Sequence, residues 1–577
     1  MAPRAILPVL VLVLGARTSP AQPAPAPPPA AAPPPAPPPA APAPPPAAPA
    51  PPPAAAPAPP AAAPPPAPAE APDTWGAGKR PAPARATSAT DEELMIEIED
   101  QESLEPPPHA RSEVTRVGRG PGDVLVRYTL EAVEIRGNSR TRSRVVLRYI
   151  PFKPGDIIDV DDPEVELTRY RLLGTGFFRD VQFSLRKGSE RGRVVLVVEV
   201  EERNTIVLND IWMGVSRDAD TEGASIPLTA YGGLDAAETN VAGTGITLGG
   251  AFAVAEEQYA LRARFLDPAF LGGHWMTSGS LLYNKAKDFF GNAGVTKIDI
   301  NEAEPRAVVR YTRFGGNLGV GRDLSVATQL WFHYRLESID ATVPQAAAHL
   351  RAGFPEPIQF DIDPGVSVLS TARATLQHDT RDQPFLPTRG WFLAITGEVG
   401  LPFGSDYVYQ RLDVDASKWW TLPYADHVLR LQLFGGAING DAPFFEQYYV
   451  NDFSDFRPDR VLGLNFDRRP PPNFFDTSIA EVRRGQYAAK IGVEYRIPLY
   501  RGQRAVYGID LFASTGLYLV SSLYDIQHPP RGYTGLARIP IDLTANIGFR
   551  VDTSVGGLTF GFANAIGLLP VGGEEDQ

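Results

Sequence analysis

The stretch richest in reactive side chains is His378-Asp379-Thr380-Arg381-Asp382-Gln383-Pro384-Phe385-Leu386-Pro387-Thr388-Arg389-Gly390. A His–Asp pair can orient a general base, but no nucleophile accompanies this one. Its prolines and Gly390 instead set a tight turn across which Asp379, Arg381, Asp382 and Arg389 can pair. The other histidines lie at 109, 274, 333, 349, 427 and 528, never at HExxH spacing, and no Walker A sequence is present. Gly243-Thr244-Gly245 leads into Gly249, the wrong spacing for a dinucleotide fingerprint. With 0 cysteines, disulfide frameworks, thiolate zinc sites, cysteine nucleophiles and a lipidated cysteine anchor are excluded. A net charge of −13 argues against general nucleic-acid binding. No catalytic, cofactor or metal site is expected, and the chain does not read as an enzyme.

The elements that hold these residues are unevenly distributed over 577 positions. Met1–Ala21 reads as a secretory signal peptide, with Arg4, a short apolar run and small residues before the cut. Of the 60 prolines, 27 fall between Pro23 and Pro72 in an otherwise alanine-dominated tract, a composition suited to an extended spacer. Asp91–Glu105 adds eight acidic residues and no basic one. Residues 22–123 are therefore expected to form a disordered linker. No later stretch is long and apolar enough for a transmembrane helix.

Order is expected from Val124. Leu130–Arg136 has strand character and stops at Gly137-Asn138, and Thr141–Tyr149 has helical spacing. Asp161-Asp162-Pro163 opens a second helix with an apolar stripe of Leu167, Tyr170 and Leu173. Strands at Phe178–Lys187 and Arg193–Glu201 complete a β-α-α-β-β order over residues 124–203.

From Asn204 onward strict alternation dominates. Val326, Thr328, Leu330, Phe332, Tyr334 and Leu336 share one strand face, with Gln329, His333 and Arg335 on the other. Ile541, Leu543, Ala545, Ile547, Phe549 and Val551 likewise oppose Asp542, Thr544, Asn546 and Arg550. Runs of this length fit membrane-crossing strands, whose apolar face meets lipid while charges line a wet lumen. The fold class is mainly β. Residues 204–577 are expected to form an antiparallel transmembrane β-barrel of about 16 strands.

Several words of the sequence resemble a known family. Ile135-Arg-Gly137-Asn138, Phe152-Lys-Pro-Gly155-Asp156, Leu173-Gly-Thr-Gly-Phe177-Phe178 and Val198-Glu-Val200-Glu201-Glu202 together resemble a POTRA domain, the periplasmic module before outer-membrane barrels of the BamA/TamA superfamily. The His378–Gly390 stretch is similar to that family's mid-barrel strand–turn–strand signature. The resemblance implies an outer-membrane barrel with its arm and POTRA domain in the periplasm. It also implies insertion or export of polypeptides, with extended clients adding to a POTRA strand edge and with lipoprotein or other periplasmic partners.

The family further implies a long loop folded into the lumen, whose tip arginine pairs with acidic wall residues. Arg457 falls at the family arginine, with Arg460 as second candidate, although Pro458 and Asn451-Asp452 replace family glycines. Glu494 matches one wall acid; Ser514 stands where the second is expected, with Asp510 as a substitute on the same face. Two rival readings remain: a passive channel or receptor, and a cell-envelope tether using the Ala/Pro arm.

Overall fold

The computed structural model describes residues 127–563 apart from 160–162, 217–228, 271–274, 291–294, 298–306, 345–346, 352–353, 454–459, 466–472, 483, 503–504 and 531. The signal-peptide and linker expectations lie outside the described residues.

The first unit of structure runs β1 (Arg127–Arg136), α1 (Ser143–Arg148), β2 (Ile157–Asp159), α2 (Pro163–Gly174), β3 (Phe178–Lys187) and β4 (Arg193–Glu202). Its sheet order is β2-β1-β4-β3, with β1 parallel to β4 and β3 antiparallel to it. Both helices cover one face and bury Leu130, Val146, Leu172, Val181, Leu196 and Val198 between the layers. Short β2, paired to Arg127–Thr129, was absent from the sequence expectation; three residues at a sheet edge carry too little alternation to read. The α2 stripe is also corrected. Thr168, Tyr170, Leu172 and Leu173 are buried, whereas Leu167 is only half-buried. The helix turns its 168–172 row inward, and Thr168 satisfies its hydroxyl on the Glu164 carbonyl at 2.7 Å. The expected cap at Asp162 lies outside the described residues.

The second unit is one antiparallel sheet whose strands follow chain order. It begins with β5 (Ile206–Ser216), β6 (Thr229–Glu238), β7 (Thr247–Ala255), β8 (Gln258–Asp267) and β9 (Trp275–Phe290). There follow β10 (Ala307–Asp323), β11 (Thr328–Thr342), β12 (Gly365–Asp379), β13 (Gly390–Gly400) and β14 (Tyr409–Thr421). It closes with β15 (Val428–Gly440), β16 (Tyr487–Arg501), β17 (Val506–Ser521), β18 (Ile541–Thr553) and β19 (Gly556–Ala563). Many strands of 13–17 residues exceed the bilayer-crossing minimum. Phe332, Leu336, Leu433, Ile491, Ile547 and Phe549 face outward and exposed, while Glu337, Lys490, Glu494, Arg496, Asp542 and Asn546 are buried inside. The sign of the alternation is that of a barrel in lipid.

The described residues contain 15 barrel strands, one fewer than the expected 16. Residues 564–577, which carry the expected strand extension and acidic tail, lie outside the description. Because neighbours alternate in direction, β5 and β19 run the same way. They meet near one end, where the Leu208 N–H donates to the Val555 carbonyl at 2.7 Å, and no ladder joins them among the described residues. Among the described residues no helix is long and apolar enough to cross a membrane.

Candidate functional site

The turn between β12 and β13 is organised by carboxylates. Asp382 accepts the Thr388 N–H at 2.8 Å and the Arg389 N–H at 3.2 Å, and Asp379 accepts from Arg381 Nε at 2.9 Å. Gly390 has φ +111, and a Cβ there would strike the Thr380 carbonyl, so the position requires glycine. The Pro387 carbonyl accepts from Arg496 of β16, tying the turn to a strand three places further along the wall. Arg389 does not pair across the turn as its spacing suggests. It leaves the barrel and meets Glu166 of α2 at 2.7 Å and the Tyr170 hydroxyl.

That contact belongs to a set joining the β1–β4 module to the turns at one mouth of the barrel. Arg148 and Arg171 converge on Asp323 at 3.0 and 2.8 Å. Asn240 Nδ2 donates to Thr141 Oγ1 at 2.8 Å, and the Arg142 N–H donates to the Gly243 carbonyl at 3.0 Å. Gly243, at φ +70, has no room for a Cβ against the Arg140 carbonyl. Arg203, just after β4, reaches Asp552 at 3.1 Å and the Thr553 carbonyl at 2.7 Å. Glu202 receives the Ser139 hydroxyl at 2.7 Å and the Arg140 and Thr141 N–H groups at 2.9 and 2.5 Å. Partial burial alone would raise its carboxyl, but these hydrogen bonds outweigh burial and hold it below the usual carboxylate range.

The described residues of the connection from β15 to β16 (441–486) fold against the inner wall. Glu446 meets Arg335 of β11 at 2.8 Å and Arg411 of β14 at 3.6 Å. Arg335 also faces Glu398 at 3.6 Å and Glu337 at 3.8 Å, and Glu337 binds Arg313 at 2.6 Å. Phe445 lies beneath Arg313 at 4.0 Å and stacks on Tyr311. Further along, Arg484 pairs with Asp288 of β9, and Asn465 Nδ2 donates to the same carboxylate at 3.0 Å. Tyr448 donates to Asp413, and Lys490 Nζ donates to the Phe453 carbonyl at 2.9 Å. The described part of the loop is thus fastened in both polarities, by Glu446 on the wall arginines Arg335 and Arg411 and by Arg484 on the wall carboxylate Asp288. Phe444-Phe445-Glu446, a carboxylate between aromatics in the same loop, was the available sequence signal.

The expected wall acids stand elsewhere in this lumen. Glu494 binds Arg550 at 2.5 Å and lies 3.5 Å from Arg496; Asp510 binds Arg501 at 2.5 Å and lies 3.5 Å from Arg496. Ser514, directly across the ladder from Glu494, accepts from Asn546 Nδ2 at 3.1 Å. Arg457 lies outside the described residues, and Arg460 begins the short strand Arg460–Val461. The described residues bring Glu494 and Asp510 together through Arg496, and show neither with a loop arginine. Among the described residues, no group of three or more His, Cys, Asp and Glu is arranged to hold a metal ion.

An ion-lined cylinder with an apolar exterior, a loop fastened inside and a folded module at one mouth defines an outer-membrane β-barrel protein. The Omp85 superfamily domain matches residues 240–567 and the POTRA family, described as surface antigen variable number repeat, matches residues 128–203. The chain belongs to the Omp85 superfamily; it is an outer-membrane protein with its POTRA module in the periplasm. It is 21% identical over 351 residues to the outer membrane protein assembly factor BamA of Nitratidesulfovibrio vulgaris, covering 57% of this chain and 37% of that protein. BamA of Neorickettsia risticii is 23% identical over 419 residues, covering 71% of this chain and 50% of that protein. The solved structure of CdiB from Escherichia coli aligns at 12% identity and TM-score 0.46, covering 76% of this chain and 72% of that chain. The chain spans half or less of the length of these two curated relatives.

Proposed function

We propose that this protein inserts or translocates polypeptides at the outer membrane, using the β5–β19 seam as the working edge. The seam carries the reading: two long-edged strands run the same way and are joined by a single described backbone hydrogen bond at 2.7 Å. Unpaired strand edges recruit extended polypeptides by main-chain pairing. Edge strand β3 of the POTRA module offers a second such surface on the periplasmic side, open to clients and to lipoprotein or other periplasmic partners. The BamA relatives bear the name assembly factor.

The loop in the lumen supports this reading over a passive conduit, since its tethers run across the wall from β9 to β16. The lock expected from the family fits alongside. The Phe453 carbonyl is held by Lys490, and Arg457 lies four residues further on, a reach of about 13 Å. Glu494 is four residues from Lys490 along β16, and its Oε1 lacks a hydrogen-bond partner among the described residues. We assign Arg457, with Arg460 in reserve, to Glu494, with Asp510 and Ser514 as neighbours.

The test is site-specific capture. The natural chain has 0 cysteines, so single cysteines at Met213 or Phe560 on the seam, or at Ile395 opposite, report without background. An unfolded outer-membrane barrel polypeptide carrying one thiol is expected to form disulfides at the seam positions and not at Ile395. Equal capture at all three overturns the reading, and a large steady conductance in planar bilayers would favour the channel instead.

A further inference from the structure

The lipid-facing belt at the module end of the barrel is chemically lopsided. The ladders place Trp275 opposite Arg322 across β9–β10, and Trp391 opposite Lys418 across β13–β14. These positions share the outward parity of Leu318 and Leu281 on one pair and of Ile395 and Leu412 on the other, all exposed. Lys418 Nζ lies 4.5 Å from the Trp391 ring centre and 5.9 Å from that of Trp420; Arg322 Cζ lies 5.3 Å from Trp275. The three tryptophans remain 40–51% exposed. Neither Lys418 nor Arg322 enters an ion pair among the described residues. Asp323, the next residue along β10, faces the other way and is taken by Arg148 and Arg171. On the seam side the corresponding outward positions Val551, Leu558, Leu248 and Phe265 are apolar, and the position across from Leu248 is the acidic Glu238, so none of the five carries a cation.

A cation on a lipid-facing wall, without a protein carboxylate, is stabilised by an anion at headgroup depth. Tryptophan rings settle at that same depth. On the neighbouring strand at the same depth each cation adjoins a leucine suited to acyl chains, Leu330 across from Arg322 and Leu431 across from Lys418. We propose that Lys418 with Trp391 and Trp420, and Arg322 with Trp275, bind the headgroup phosphate of anionic phospholipid in the periplasmic leaflet. The barrel is then gripped by fixed lipids on the half away from the seam, while the corresponding positions of the seam half offer the headgroups no cation. This holds whether or not the barrel handles polypeptides.

The test reconstitutes the full-length protein into phosphatidylcholine bilayers containing phosphatidylglycerol and measures the phosphatidylglycerol that stays with it on extraction. Wild type is expected to enrich this lipid over the bulk ratio. Each of K418Q and R322Q is expected to lower retention about five-fold at its own site, the double variant further, with K418R unchanged. R310Q, at the opposite end of β10, serves as the control and is expected to change nothing. Heat-modifiable gel mobility confirms folding. If K418Q does not fold, wild-type enrichment that falls with added salt supports the site, and salt-independent enrichment overturns it. Equal retention by wild type and the double variant, or equal loss in R310Q and K418Q, also overturns it.

Discussion

The POTRA module and the barrel are built from strands of similar alternation, yet they hide opposite faces. In the module Leu130, Val146, Leu172 and Val198 are sealed between sheet and helices, and charges such as Glu134 and Arg186 pair on the outside. In the barrel the charges are sealed and the aliphatic residues are on display: Arg496 and Asp510 are 0% exposed while Leu318 is 72% exposed. The difference teaches that strand patterning specifies a face, and the surrounding solvent decides whether that face becomes core or surface. It also moves the energetics, from cavity and transfer terms in the module to uncompensated charge in the barrel.

The comparison breaks most easily at Arg335. Arg335→Ala leaves Glu446 and Glu398 buried without their shared cation, and a loss of about 3–5 kcal/mol is expected. A lowered heat-modification midpoint with the module still protease-resistant would sharpen the contrast; an unchanged midpoint would remove the loop lock. Next, Leu172→Ala should cost the module about 2–5 kcal/mol through transfer and cavity terms. The exposed Ile491→Ala should change little, and limited proteolysis set beside gel mobility separates the two. Leu433→Lys places a charge on the lipid side near the middle of β15, for which about 2–4 kcal/mol is expected. Tolerance of that lysine in bilayers would contradict an outward apolar face. Arg389→Gln, at a half-exposed pair with Glu166, should shift module docking by roughly 0–1 kcal/mol, read as faster proteolysis between module and barrel.

The smallest effect is acid dependence at Glu202. Its folded pKa is held down, so its contribution is present above the unfolded value near about 4.3 and fades as pH falls through the folded one. The wild-type module should lose stability in that acidic window, and Glu202→Gln should flatten that part of the curve.

Much of the architecture was legible because alternation is a local signal. The Leu330/Gln329 and Ile547/Asn546 faces fall as read, and strands β3 and β4 agree within one residue. The described residues hold 15 of the expected 16 barrel strands, and the three residues of β2 were too few to alternate. The β12–β13 turn was readable since Asp382 and Asp379 bond within seven residues of themselves. The loop lock was not. Glu446 and Arg335 are 111 positions apart, and only barrel closure brings the loop to that wall. Arg389 meets Glu166 across 223 positions, a distance at which spacing carries no information.

Only Arg203–Thr205 separate the end of β4 from the start of β5. Arg203 is clamped at both Asp552 and the Thr553 carbonyl, with its guanidinium over Phe385. Such a tie has no slack. Any displacement of the module's sheet is therefore carried directly into the first stave of the barrel.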